Sequence, residues 1–80
     1  SKVDQYNEYV MTGFRTIWGV SANFIENNFN SKFKNYFTHR IQKHIDQKNI
    51  IVKDDIYTTT NQGRFLADGI SSDLFLVNLK

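Results

Sequence analysis

The sequence predicts an α+β fold that is mostly helical, and three observations carry the prediction. Apolar residues recur three or four positions apart in four separate segments. Two β-rich runs, Ile50-Ile51-Val52 and Ile56-Tyr57-Thr58, flank Lys53-Asp54-Asp55. Seven Phe, four Tyr and one Trp among 80 residues supply the core of one small domain spanning 1–80. A chain of this length buries only about 60% of its unfolded surface, so that core is small.

The elements follow in order. A first helix is expected over 3–16, with Val3, Tyr6, Val10, Phe14 and Ile17 on one stripe. Asp4 and Glu8 suit the N-terminal end of its dipole. Gly13 costs about 1 kcal/mol relative to Ala inside a helix, so a neighbouring backbone or a partner should approach closely there. Gly19 fits a helix stop at positive φ. Val20 then points inward, and Ser21 is a good N-cap for a second helix over 22–29, with Phe24, Ile25 and Phe29 inward. Asn30-Ser31 is the turn, and Ser31 caps the third and longest helix, 32–48. Its stripe is Phe33, Phe37, Ile41 and Ile45, with Tyr36 and His44 at the margins. Asn49 is expected to end it in the left-handed conformation. The two β-rich runs form a hairpin around Lys53-Asp54-Asp55. Thr60 caps a fourth helix, 61–77, whose inward side is Phe65, Leu66, Ile70, Leu74 and Val77 and which Gly63 and Gly69 weaken. Three helices, a β-hairpin and a C-terminal helix are the element order of a winged-helix-like domain. The second and third helices are then its helix-turn-helix, and the hairpin is the wing.

Composition excludes several functions. Without cysteine, these residues form no disulfide, thiolate metal site or Cys nucleophile. No apolar run reaches the roughly 18 residues of a membrane span, and no signal-peptide pattern occurs, so a cytoplasmic location is expected. A helical pattern beginning just after Ser1, with no initiator Met, reads as a fragment of a longer protein. The formal charge of +2 does not by itself argue for nucleic acid. No Ser-His-Asp order, P-loop or GxGxxG is present. His39 and His44 are five residues apart, roughly 140° around a helix, and share a metal poorly. Asp68 and Asp73 have the same spacing and make no carboxylate pair. No catalytic, cofactor-binding or metal residue is expected.

Two groups of residues remain. In the third helix Lys32, Lys34, Arg40, Lys43 and Lys48 face only Asp46, five cations against one acid and so a net +4, with His39 and His44 besides. One reading is phosphate contact by a recognition helix; the other is a solvated face. Asp54-Asp55 at the wing tip would repel phosphates. Arg15, the only charged residue between Glu8 and Glu26, and Trp18 stand at the exit of the first helix. They read either as a docking patch for another domain or as local pairing with Trp18 capping the core.

Glu8 to Val20, read as E-Y-x-M-x-G-x-R-T-x-x-G-V, resembles the opening motif of the C-terminal domain of oxygen-independent coproporphyrinogen III oxidase-like proteins. Phe14 stands where that family usually has Leu. Thr60 to Asp68 is similar to its T-x-x-G-R-x-L-x-D motif, and Ile70 and Leu74-Phe75 continue in register. Lys48-Asn49-Ile50 departs from the Gly-then-Leu common there. The resemblance covers nearly the whole chain. It implies a winged-helix-like accessory domain following a radical S-adenosylmethionine barrel. The barrel's CxxxCxxC and [4Fe-4S] cluster, and its S-adenosylmethionine, would lie upstream of Ser1. The parent would be either an enzyme that oxidatively decarboxylates two propionates of coproporphyrinogen III in haem synthesis or a related haem chaperone. The resemblance further implies that Arg15, Trp18 and Gly19 contact the barrel. Lys34, Arg40 and Lys43 would then form a face attracting an anionic tetrapyrrole or haem. The competing expectation is a DNA-binding winged helix from a transcription regulator.

Overall fold

The computed structural model describes residues 1–76, and its elements run α1 (Lys2–Phe14), β1 (Val20–Ser21), α2 (Ala22–Asn28), α3 (Ser31–Asp46), β2 (Ile50–Lys53), β3 (Ile56–Thr59), α4 (Asn61–Arg64) and α5 (Ala67–Leu74). The strands form one antiparallel sheet in the order β1-β3-β2, with Val20 opposite Tyr57 and Val52 opposite Tyr57 on the other side. This is the winged-helix-like α+β arrangement expected. No helix among the described residues is long and apolar enough to cross a membrane.

The core gathers one stripe from each large element. Tyr6, Val10 and Phe14 of α1 meet Phe37 and Ile41 of α3 and Ile70 and Leu74 of α5, with Val20, Ile25 and Ile50 closing the ends. Two tyrosine hydroxyls are tied to the C-terminal backbone, whereas His44 Nδ1 and Ser71 Oγ are buried without a hydrogen-bond partner among the described residues. Tyr6 donates its hydroxyl to the Leu74 carbonyl at 3.0 Å, and Tyr36 donates to that of Phe75 at 3.0 Å. The expected caps at Ser21 and Thr60 form, accepting from the backbone N–H of Phe24 and Gly63 respectively.

The structure corrects the sequence reading at several places. α1 ends at Phe14, not 16, because Thr16 folds back: its hydroxyl donates to Gly13 O and accepts from Trp18 N. Ile17 therefore leaves the stripe and faces solvent. The chain then enters β1, an unexpected third strand, through Gly19 at φ +72°. A Cβ on Gly19 would stand 2.5 Å from the Tyr57 carbonyl, so both the torsion and the space demand glycine. At Gly13 the close neighbours are the Val20 side chain and the Gly19 backbone. Phe24 is half-exposed rather than inward and stacks on Tyr9 at 4.4 Å. Asn30, not Ser31, caps α3, accepting from Phe33 N at 2.9 Å. Lys48 (φ 66°), not Asn49, takes the left-handed position at the end of α3. Lys48 N bonds Ile45 O and Asn49 N bonds His44 O, the paired bonds of a Schellman motif.

The wing turn is shorter than expected. Asp54 (φ 51°) and Asp55 (φ 69°) alone connect β2 to β3, the two-residue geometry that matches strand twist. Asp55 is not idle there. Its Oδ2 accepts from Ser21 Oγ at 2.6 Å and from Asn23 N at 3.0 Å, which fastens the wing to the start of α2.

The expected fourth helix breaks in two. α4 stops at Arg64, and α5 starts after Leu66, so Phe65 and Leu66 point outward instead of into the core. The cause is the seating of α4 on Asn49: Thr60 N donates to Asn49 O at 3.0 Å while Gly63 presses on the same carbonyl. A straight helix from that seat would not bring Ile70 and Leu74 over α1. Val77 lies outside the described residues. Gly69 is different in kind, with open space where a Cβ would stand. Gly69→Ala is expected to raise stability by up to about 1 kcal/mol through helix propensity. Urea unfolding would read this as a higher midpoint at unchanged m-value, and a lower midpoint would contradict the exposed placement.

Candidate docking groove

The end of α1 and the α4–α5 break face each other across β3. Between them lies a groove of about 680 Å³. Arg15, Thr16 and Ile17 line one wall, and Thr58 and Thr59 come from β3. Arg64, Phe65, Ala67 and Asp68 form the other wall. The two walls are bridged by one ion pair: Arg15 Nε and Nη2 each lie 3.0 Å from Asp68 Oδ1. Both partners are well exposed, so the pair contributes little to stability. It orients the two walls instead.

Two exposed side chains of the groove, Ile17 and Phe65, are large and apolar, and each has an exposed apolar neighbour in the chain. Ile17 is 81% exposed, its neighbour Trp18 77%, Phe65 91% and Leu66 50%. Single exposed apolar residues are ordinary, whereas several together mark an interaction surface. Trp18 therefore does not cap the core. Gly19, grouped with Arg15 and Trp18 by the sequence, is instead buried against β3 and presents nothing to a partner. Its task is to let the loop carrying Ile17 and Trp18 approach the sheet.

A second polar cluster joins α3 to α5, and Asp73 is its centre. Arg40 Nη2 donates to Asp73 Oδ1 at 2.9 Å, and Arg40 Nε donates to the Asp73 carbonyl at 2.9 Å. Lys43 Nζ lies 3.0 Å from Asp73 Oδ2, and Nε2 of His44, which is buried rather than marginal on α3, lies 2.9 Å from the same oxygen. An ionised carboxylate only accepts, so His44 carries its proton on Nε2 toward Asp73. The hydrogen bond from His44, then those from Lys43 and Arg40, outweigh desolvation and hold the Asp73 carboxyl down at about 2. Lys34 turns the other way and pairs with Glu26 of α2 at 3.5 Å. Lys34, Arg40 and Lys43 thus do not form a single cationic face; each already meets a carboxylate. Among the described residues no group of three or more His, Asp or Glu side chains stands together to hold a metal.

The two sequence motifs converge on the groove. The first motif segment supplies Arg15, Thr16 and Ile17, and the second supplies Arg64, Phe65 and Asp68. Residues 1–66 match the family described as the HemN C-terminal domain. The chain belongs to that family. HemN C-terminal domains are those of HemN-like oxygen-independent coproporphyrinogen III oxidases. No curated protein and no solved structure matches the chain. In this HemN C-terminal domain the matched region closes at Leu66, inside the α4–α5 break, and α5 with Asp68 and Asp73 follows it.

Sequence reasoning singled out Arg15 and Trp18 but not Arg64, Phe65 or Asp68 as the partner of Arg15. A signal for that pair existed, since the local-pairing reading of Arg15 named no partner and the closing aspartate of the other motif had no role. Asp73 was also missed. A helix carrying +4 beside an acid in the next helix was the available clue.

Proposed function

We propose that this HemN C-terminal domain covers the open end of a radical S-adenosylmethionine barrel preceding it in the whole protein, docking through the groove face. In this reading the [4Fe-4S] cluster and S-adenosylmethionine belong to the barrel. No thiolate is available in these 80 residues to ligate a cluster. The domain contributes surface rather than reacting groups. The observation that carries the reading is the exposed pair Ile17 and Phe65, which line the groove from the two motif segments, with their exposed chain neighbours Trp18 and Leu66 beside them in sequence. Burying such side chains against another domain gains about 25 cal/mol per Å² of apolar area, which offsets the cost of holding two domains together.

Three of the α3 cations behind the DNA-binding reading, Lys34, Arg40 and Lys43, are paired with carboxylates. Arg40 and Lys43 are turned to α5 and Lys34 to α2, and Asp55 occupies the wing as a helix cap. The same pairings argue against an anion-attracting face on α3.

The test uses the full-length protein. Ile17→Asp with Phe65→Asp is expected to leave the fold of this domain intact, because both side chains are exposed. Hydrogen exchange should then show faster exchange in the backbone around residues 14–18 and 58–66, and activity or tetrapyrrole binding of the parent should fall. Unchanged exchange and activity would remove the docking reading.

A further inference from the structure

We propose that Arg64 is an anchoring cation of this face, and that the covering surface of the preceding domain presents an Asp or Glu carboxylate to it, set among apolar side chains. The inference rests on the docking reading and names the partner chemistry that reading requires. The groove holds two guanidinium groups, Arg15 and Arg64, and one carboxylate, Asp68. Arg15 uses that carboxylate. The Arg64 side chain has no hydrogen bond or ion pair among the described residues. Among the described residues Lys2, Lys32, Lys48 and Lys53 also lack a carboxylate partner, but none of them lines this groove.

The location decides the consequence. Arg64 stands beside Phe65 and across from Ile17, the most exposed large apolar side chains among the described residues. A surface that covers those two also strips water from Arg64. A guanidinium cannot shed its charge at any working pH, so it must be paired or remain buried and uncompensated. A carboxylate is the natural partner, because the planar fork accepts it through two parallel hydrogen bonds. Thr58 and Thr59 line the same groove with further hydroxyls. A polyanion is a poorer fit, since Asp68 would lie beside it and the groove is only one charge positive.

Two measurements on the full-length protein test this. In the first, Arg64→Glu is compared with Arg64→Lys by hydrogen exchange, alongside the Ile17→Asp, Phe65→Asp variant. Charge reversal should speed exchange around residues 14–18 and 58–66 by about thirtyfold or more, while the lysine variant keeps part of the protection. In the second, the Arg64→Lys protein is treated with a water-soluble carbodiimide, which joins an amine to a carboxylate in contact with it. The expected product links position 64 to an Asp or Glu upstream of Ser1. Several outcomes overturn the proposal. If Arg64→Glu exchanges like wild type while the apolar double variant opens, docking stands and the carboxylate partner is rejected. If neither variant changes exchange, docking and its anchor fall together. A link only to Asp68, or only between two chains, rejects a carboxylate on the preceding domain.

Discussion

Gly63→Ala is expected to be the most damaging single methyl that can be added to this domain. A Cβ at Gly63 would stand 1.9 Å from Asn49 O and 2.7 Å from Asn49 C, against backbone rather than the end of a flexible side chain. That backbone cannot retreat cheaply. Asn49 O accepts from Thr60 N, Asn49 N closes the end of α3 on His44 O, and Asn49 Oδ1 accepts from Gln62 Nε2 at 2.9 Å. Relieving the clash means lifting α4 off its seat. This opens the junction between α3, the wing and α5. Overpacking of a well-packed site commonly costs 1–3 kcal/mol and sometimes more, and a backbone clash belongs at or above the top of that range, about 3 kcal/mol. For a domain of this size such a loss lowers the melting temperature by about 15 °C. Thermal and urea unfolding of the variant check it. A loss below about 1 kcal/mol would mean that the close approach of α4 to Asn49 is not held in solution.

The same junction explains what the sequence could and could not reveal. Tyr6, Val10, Phe37, Ile41, Ile70 and Leu74 were legible because each continues a helical stripe that the structure buries. Ile17 and Phe65 fit those stripes equally well, yet both face solvent. Periodicity counts along one continuous helix and is blind to where the chain leaves it. The information lay in the glycines. Gly19 requires a turn just after Trp18, and Gly63 requires a backbone neighbour, but that neighbour, Asn49, is known only once the fold is formed. β1 is two residues long and has no pattern of its own; its pairing partner β3 creates it. For the candidate site, Arg15 and Trp18 stood out as isolated residue types. Arg64 and Asp68 gain meaning only from tertiary proximity to Arg15 and Ile17.

Removing the Asp73 carboxylate is expected to have the second large effect, and its pH dependence identifies the cause. In Asp73→Asn the guanidinium of Arg40, the ammonium of Lys43 and the enclosed His44 lose their common anion. Folding depresses the Asp73 carboxyl from an ordinary 3.8 to about 2. A depressed carboxylate adds stability fully above its unfolded value, and that stability is lost as pH falls through the folded value. The contribution is thus complete at neutral pH, shrinks between about pH 4 and pH 2, and vanishes below. Its size is about 2 kcal/mol, taken from the shift between those two values at 1.36 kcal/mol per unit. Chemical denaturation of wild type and Asp73→Asn at pH 7, 5, 3 and 2 reads the group, because the remaining carboxylates are common to both. The difference in stability should hold from pH 7 to 5 and close toward pH 2. A difference that persists undiminished at pH 2 would show that asparagine damages packing instead. A difference already absent at pH 7 would show that α3 and α5 are held by Phe37, Ile41, Ile70 and Leu74 alone. In that case the cations of α3 would be free to serve an external anion after all, so the titration of one carboxylate also decides whether that face is available.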